Sequence, residues 1–199
     1  MARATVTLRT ARVDDAEALA VLWADALRRA DHEAQVAELE RILEATAADP
    51  DQEVLVAELG GVLAGAVLVR ATTVSPLNLE PSVQALALRV FDQHRRRGVG
   101  RALLEGAVQY AEDAGAAHLM TTAVSSSRDA NRFLARLALG PQVMVRMGSV
   151  ATVRAKLGTT RPVPATAGRT APRTPAGERE LGRVLAARRS LRRHRAAGT

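Results

Sequence analysis

Leu86-Ala87-Leu88-Arg89-Val90-Phe91-Asp92-Gln93-His94-Arg95-Arg96-Arg97-Gly98-Val99-Gly100-Arg101-Ala102-Leu103-Leu104 runs from an apolar strand, through a turn with two glycines, into an amphipathic helix. An anion fits such a turn. The first amides of a helix have no intrahelical acceptor and carry a partial positive charge, and glycine lets a ligand reach the backbone without a Cβ in the way. A bare Gly-x-Gly is equally a tight turn dressed with surface arginines, so the flanking sequence has to decide between the two.

Upstream, residues 83–91 continue the strand and residues 75–81 read as a polar, Pro-containing loop. Residues 53–59 and 62–70 flank Gly60-Gly61, which predicts an antiparallel hairpin because both turn residues can take positive φ. Residues 5–9 alternate as a short strand, and Asp14-Asp15-Ala16-Glu17 opens a helix with acids in its first turn, where the helix dipole favours them. Leu19, Leu22, Trp23, Ala26 and Leu27 share one face of that helix. A second helix is predicted over 31–47, with Val36, Leu39, Ile42 and Leu43 at helical spacing and a stop before Asp49-Pro50.

Downstream, the helix over 99–114 ends at Gly115, and residues 118–124 form the next strand. A strand–helix–strand crossover of that length places the two strands parallel. Ser127 or Asp129 caps one more helix through Leu137, and residues 143–147 alternate as a sixth strand. Residues 149–157 are compatible with a short helix between a capping Ser149 and Gly158.

The turn and the order of elements together resemble the GNAT superfamily of N-acetyltransferases. Its acetyl-CoA signature, Arg/Gln-x-x-Gly-x-Gly/Ala, is met by Arg95, Gly98 and Gly100. A dinucleotide-binding fold is the rival for a glycine turn, but no earlier glycine stands at the Gly-x-Gly-x-x-Gly spacing and no parallel sheet begins the chain. The resemblance spans residues 5–147. It implies an α/β (α+β) domain with a mixed, mostly antiparallel six- to seven-stranded sheet flanked by helices, and transfer of an acetyl group from acetyl-CoA to an amine acceptor, small molecule or protein. In that family the end of the fourth strand splays from the fifth, its backbone pairs with the pantetheine arm, and the turn holds the pyrophosphate. Here those duties fall to Leu88, Arg89 and Val90, then to Arg95, Arg96, Arg97, Gly98, Val99, Gly100 and Arg101. Arg96 and Arg97 either add charge near the phosphates or are simply solvated.

Aminolysis of a thioester needs a neutral amine, a polarised carbonyl and preferably an acid for the thiolate. Members of the family often carry a basic carboxylate on the fourth strand; Gln84 occupies that position, and Glu80, a little upstream, is the remaining candidate, acting through water, or else a loop carboxylate at the surface. The family's usual acid is a Tyr in a pattern resembling Asn-x-x-Ala-x-x-Leu-Tyr-x-Lys-x-Gly-Phe. This chain reads Ser127-Arg128-Asp129-Ala130-Asn131-Arg132-Phe133-Leu134-Ala135-Arg136-Leu137-Ala138-Leu139, so Leu134 replaces the Tyr, Ser127 the Asn and Ala138 the Gly. A thiol with a pKa of about 8.5 leaves without an enzyme acid, so the change weakens catalysis without abolishing it. A non-catalytic acyl-CoA-binding regulatory domain is the alternative function. Tyr110, the only Tyr, is read as a packing residue, and His32, His94, His118 and His194 have no metal-ligand spacing, so no metal is expected.

Composition bounds the rest. The chain has 199 residues and no Cys, which excludes disulfides and cysteine-linked acyl intermediates. No apolar run approaches the ~18 residues of a membrane span, and a cytoplasmic protein is expected. Residues 1–157 hold 18 basic and 19 acidic side chains, whereas 158–199 hold ten Arg against Glu178 and Glu180, so the net charge of +7 belongs to the end of the chain. We therefore expect a GNAT-like domain over 1–157, a Pro-rich linker over 158–177 and a disordered basic tail over 178–199 with some helical spacing. That tail suits non-specific contact with polyanions, but without aromatics it is a poor nucleic-acid reader. A homodimer is compatible with all of this. The acceptor groove would be built from the loops at 22–30 and 72–81, whose composition does not name an acceptor.

Overall fold

The computed structural model describes residues 5–123 and 126–159. Two compact units divide the chain, one up to Val143 and one from Met144. The first begins with β1 (Val6–Thr10), a single 3-10 turn (Val13–Asp15), α1 (Ala16–Leu22) and α2 (His32–Ala48). It continues with β2 (Gln52–Leu59), β3 (Val62–Ser75) and β4 (Asn78–Val90), then α3 (Val99–Asp113), β5 (His118–Thr121) and α4 (Arg128–Ala135). The strands form one sheet in chain order, antiparallel from β1 through β4, with β5 parallel to β4.

Local chemistry sets most boundaries. The Asp31 carboxylate accepts the Ala34 amide at 2.8 Å and starts α2. Gly60 and Gly61 take φ of 66° and 81° and close the β2–β3 hairpin, with Leu59 opposite Val62. α1 stops at Leu22, short of the sequence expectation, which leaves Trp23 as its buried C-terminal cap residue.

The loop expected at 75–81 is instead a tight turn. β3 and β4 run on until Ser75 faces Asn78, with the Ser75 hydroxyl accepting the Leu77 and Asn78 amides. Pro81 sits within β4 opposite Thr73, where its missing N–H costs nothing because the side away from β3 only receives the Ala117 amide at its carbonyl.

Helices cover both faces of the sheet. On one, Val99, Leu103 and Ala107 of α3 pack against Val67, Val69 and Val83. On the other, Leu19 and Trp23 with Leu39 and Leu43 of α2 pack against Val54 and Val56. No helix among the described residues is long and apolar enough to cross a membrane.

The described residues hold five strands, not six or seven. Residues 143–147 form no strand: four of the five are apolar, so the pattern is a short run more than a true two-residue alternation, and an extended segment becomes a strand only when a neighbour satisfies its backbone. In the second unit residues 149–157 resolve to a helix, α5 (Val150–Thr159), whose start is capped by the Ser149 hydroxyl accepting the Thr152 amide at 3.1 Å. The linker read from the sequence over 158–177 begins two residues early, since Gly158 and Thr159 belong to α5; the rest of it and the tail lie outside the described residues.

Candidate functional site

β4 changes partner and face near its end. Its parallel ladder with β5 stops at the Ala85–Thr121 pair, where the Thr121 hydroxyl also donates to the Ala85 carbonyl at 2.8 Å. Against β3, Ala66 faces Arg89 but Leu68 faces Leu86, so β4 carries an extra residue there. This is a β-bulge, and Ala87 occupies it with φ of 50°. A left-handed residue with a Cβ costs about 1–2 kcal/mol, so something must hold it. The Trp23 indole N–H donates to the Ala87 carbonyl at 2.7 Å. From the same turn after α1, Asp25 holds the Arg89 guanidinium at 2.9 Å and 3.3 Å. That guanidinium keeps the Asp25 carboxyl below its ordinary carboxylate range.

The bulge reverses the strand's parity. Val83 and Ala85 face α3 before it, and Leu88 and Val90 pack on that same core after it. Beyond Val90, the Phe91 amide donates to Ala64 on β3 at 3.0 Å. Successive peptide groups of a strand point to opposite sides, so the Val90 amide and carbonyl turn away from β3. Among the described residues no strand lies against that side, because β5 has already ended. The result is a short open edge of backbone.

The edge leads through a 3-10 turn (Asp92–His94) to the start of α3. Arg96 has φ of 59° and Gly98 has φ of 89°, and the two left-handed residues fold the chain back into the helix. Gly98 caps α3 without a side-chain hydrogen bond, and no acidic side chain occupies the first turn. The Gly98 carbonyl takes the Ala102 amide, which leaves the amides of Val99, Gly100 and Arg101 ahead of any intrahelical acceptor. The Val99 side chain is buried, so only its backbone can face outward. Arg95, Arg96, Arg97 and Arg101 are exposed around this helix start; Arg95 pairs with Asp92 at 2.7 Å and Arg101 with Glu105 at 2.8 Å. A Cβ on Gly100 would meet Phe133 and Val90 at an ordinary 3.7 Å.

The ten residues read from the sequence thus fall in two groups along one run of chain, Leu88 to Val90 at the strand end and Arg95 to Arg101 in the turn and helix start; within the first, the Leu88 carbonyl accepts from the Arg89 guanidinium at 3.1 Å. Glu80 stands elsewhere, near the other end of β4, exposed, with His118 at 3.3 Å. Seven residues of strand separate it from Ala87, roughly 23 Å. Leu134 is half-buried against the core under α3, as is Phe133 beside it.

The sequence matches the model of the acetyltransferase (GNAT) family over residues 16–139. The chain belongs to the GNAT family. No curated protein matches it by sequence. Among solved structures, a transcriptional regulator from Bacillus halodurans C-125 is 22% identical with a TM-score of 0.64, over 73% of this chain and 100% of that one. The aminoglycoside N-acetyltransferase AAC(6')-Iy in complex with CoA is 15% identical with a TM-score of 0.61, over 73% and 95%. Glucosamine-6-phosphate N-acetyltransferase from Arabidopsis thaliana is 14% identical with a TM-score of 0.58, over 73% and 99%. At such identities the likeness is one of fold alone.

In this GNAT domain several residues that shape the site escaped sequence reasoning. Gly65 lies under the open edge, Trp23 and Asp25 grip the bulge, and Ala87 forms it. Only the lone Trp offered a signal, since a residue of that size so near a helix end suggests an anchored contact.

Proposed function

We propose that the chain transfers an acetyl group from acetyl-CoA directly to an amine of a small molecule or protein. One observation carries this: the β4 edge that loses β5 after Ala85 leads, through the turn at 91–98, to a helix start whose first amides have no capping side chain. On this reading the pantetheine arm pairs with the Leu88–Val90 backbone as an added strand would. The amides of Val99, Gly100 and Arg101 receive the pyrophosphate, and Arg95, Arg96, Arg97 and Arg101 surround it with positive charge. The thioester then comes to lie along β4 near Ala87.

The chemistry is a direct displacement. The amine nitrogen attacks the thioester carbonyl carbon, the C–S bond breaks, CoA leaves as the thiolate, and the ammonium proton of the product passes to solvent. Backbone N–H groups along the open edge are suited to polarising the carbonyl. On this reading Glu80, roughly 23 Å along β4 from Ala87, does not touch the thioester.

Leu134 favours a second reading, a non-catalytic acyl-CoA-binding regulatory domain, because an apolar side chain packed on the core stands where the family places a hydroxyl acid. Titration calorimetry with acetyl-CoA tests the binding shared by both readings. Thiol release on adding amines tests the transfer. Binding without release supports the second, and absence of binding overturns both.

A further inference from the structure

We propose that Trp23 is a positioning residue for the acyl-CoA thioester, acting through the β4 bulge, with Asp25 as its accessory. This rests on the acetyl-CoA reading above. Ala87 is a non-glycine residue in the left-handed region within a strand, at the point where β4 has just lost β5 on one side and shifts register against β3 on the other. Neither neighbouring ladder holds the bulge there. Two groups outside the sheet do, and both come from the turn after α1: the Trp23 indole N–H on the Ala87 carbonyl at 2.7 Å, and the Asp25 carboxylate on the Arg89 guanidinium. Trp23 is buried among Leu19, Leu39 and Ala66, so its ring is fixed by packing and its N–H has one direction.

The consequence is geometric. The extra residue at Ala87 decides which way the following peptide groups point, and therefore whether the Val90 amide and carbonyl face the open side. Were the bulge to relax into regular strand, every peptide group after it would turn by one position and the open edge would present the wrong set of donors and acceptors. The same turn lies where the acceptor groove is expected, so one short segment would shape both the acyl donor's track and the acceptor's wall.

The test is Trp23→Phe, which keeps an aromatic ring and removes the N–H. Affinity is measured by calorimetry for acetyl-CoA and, separately, for the nucleotide half of CoA without its pantetheine arm, which needs the α3 turn and not the bulge. We expect acetyl-CoA to weaken about tenfold, the scale of one lost buried hydrogen bond, and the nucleotide half to bind as it does to wild type. Ala87→Gly, which takes positive φ without a Cβ penalty, should recover part of the loss when combined with Trp23→Phe. If Trp23→Phe does not fold, Asp25→Asn takes its place, with the same selective loss expected. Unchanged acetyl-CoA affinity overturns the proposal, as does an equal loss for both ligands, which would mean general damage. If wild type binds neither ligand, the acetyl-CoA reading itself has failed, an outcome distinct from either.

Discussion

The Cβ that Gly65 lacks would stand 2.6 Å from the carbonyl oxygen of Arg89, closer than real Cβ contacts come, and 3.1 Å and 3.2 Å from the side chains of Val99 and Leu103. Gly65 is therefore where β3, the end of β4 and the start of α3 meet without a side chain between them. Gly65→Ala should push the Arg89 carbonyl or the α3 start outward, at about 1–3 kcal/mol, the usual scale of overpacking. For a domain of this size that is a drop of several degrees in melting temperature. Acetyl-CoA affinity should fall as well, since both halves of the candidate site move. Calorimetric melting and titration on the same sample check both.

The two glycines of the signature should behave oppositely. Gly98 has φ of 89°, so Gly98→Ala strains the turn although open space surrounds it. Gly100 is helical and a Cβ there meets only ordinary contacts, so Gly100→Ala should be neutral or stabilise by up to ~1 kcal/mol, with acetyl-CoA binding kept. Gly100→Glu adds bulk and negative charge where a pyrophosphate would sit and should abolish binding in a folded protein. Wild-type affinity in a folded Gly100→Glu would remove the ligand from this turn.

The hairpin glycines, the extent of α2 and the α3 signature were legible because each is a local rule written in nearby residues. The parallel β4–β5 pairing followed from the length of the crossover. The bulge was not legible, because Ala85, Leu86, Ala87 and Leu88 are all apolar and a one-residue insertion leaves no mark in an unbroken apolar run. Trp23 and Gly65 act on β4 from far along the chain, and no local pattern shows which strand either will touch. Residues 75–81 misled because Pro and Asn usually mark loops, yet Pro81 is harmless where β4 lacks a full neighbour. Residues 143–147 misled because an apolar run does not disclose whether a partner strand exists.

The start of the domain holds a charge cluster whose pH response is predictable. Arg9 on β1 grips the Asp15 carboxylate through two bonds of 2.7 Å and 2.8 Å and reaches Glu58 on β2 at 2.6 Å. Its guanidinium holds the Asp15 carboxyl below the ordinary 3.8. A carboxyl lowered on folding stabilises the native state above its unfolded pKa, and that contribution disappears as pH falls from about 4 toward the folded value. Asp15→Asn should thus lose about 1.5–3 kcal/mol near neutral pH, the range for hydrogen bonds to charged groups, and less against wild type at pH ~3, below the unfolded pKa. Denaturant melts at the two pH values measure the difference, and an equal loss at both would assign the effect to packing.

Whether the domain transfers acetyl groups turns on what happens at the sulfur. α4 offers Leu134, packed on the core, where the family usually has a hydroxyl, so the departing thiolate would take its proton from water. With a thiol pKa of about 8.5 such a departure is feasible, and the amine must then lose a proton to become nucleophilic, so CoA release should rise with pH until the amine is neutral. Leu134→Tyr would restore the hydroxyl, and a positioned acid typically contributes ~10²-fold or more, but only where thiolate departure limits the rate. A small gain is therefore expected if amine attack is slow, which makes the wild type the decisive protein. Acetyl-CoA should be mixed with polyamines, aminoglycosides, amino acids and peptide N-termini, and free thiol followed. Amine-dependent release with any of them establishes the transferase, whereas tight binding of acetyl-CoA without release across the panel would leave a domain that senses acyl-CoA and does not spend it.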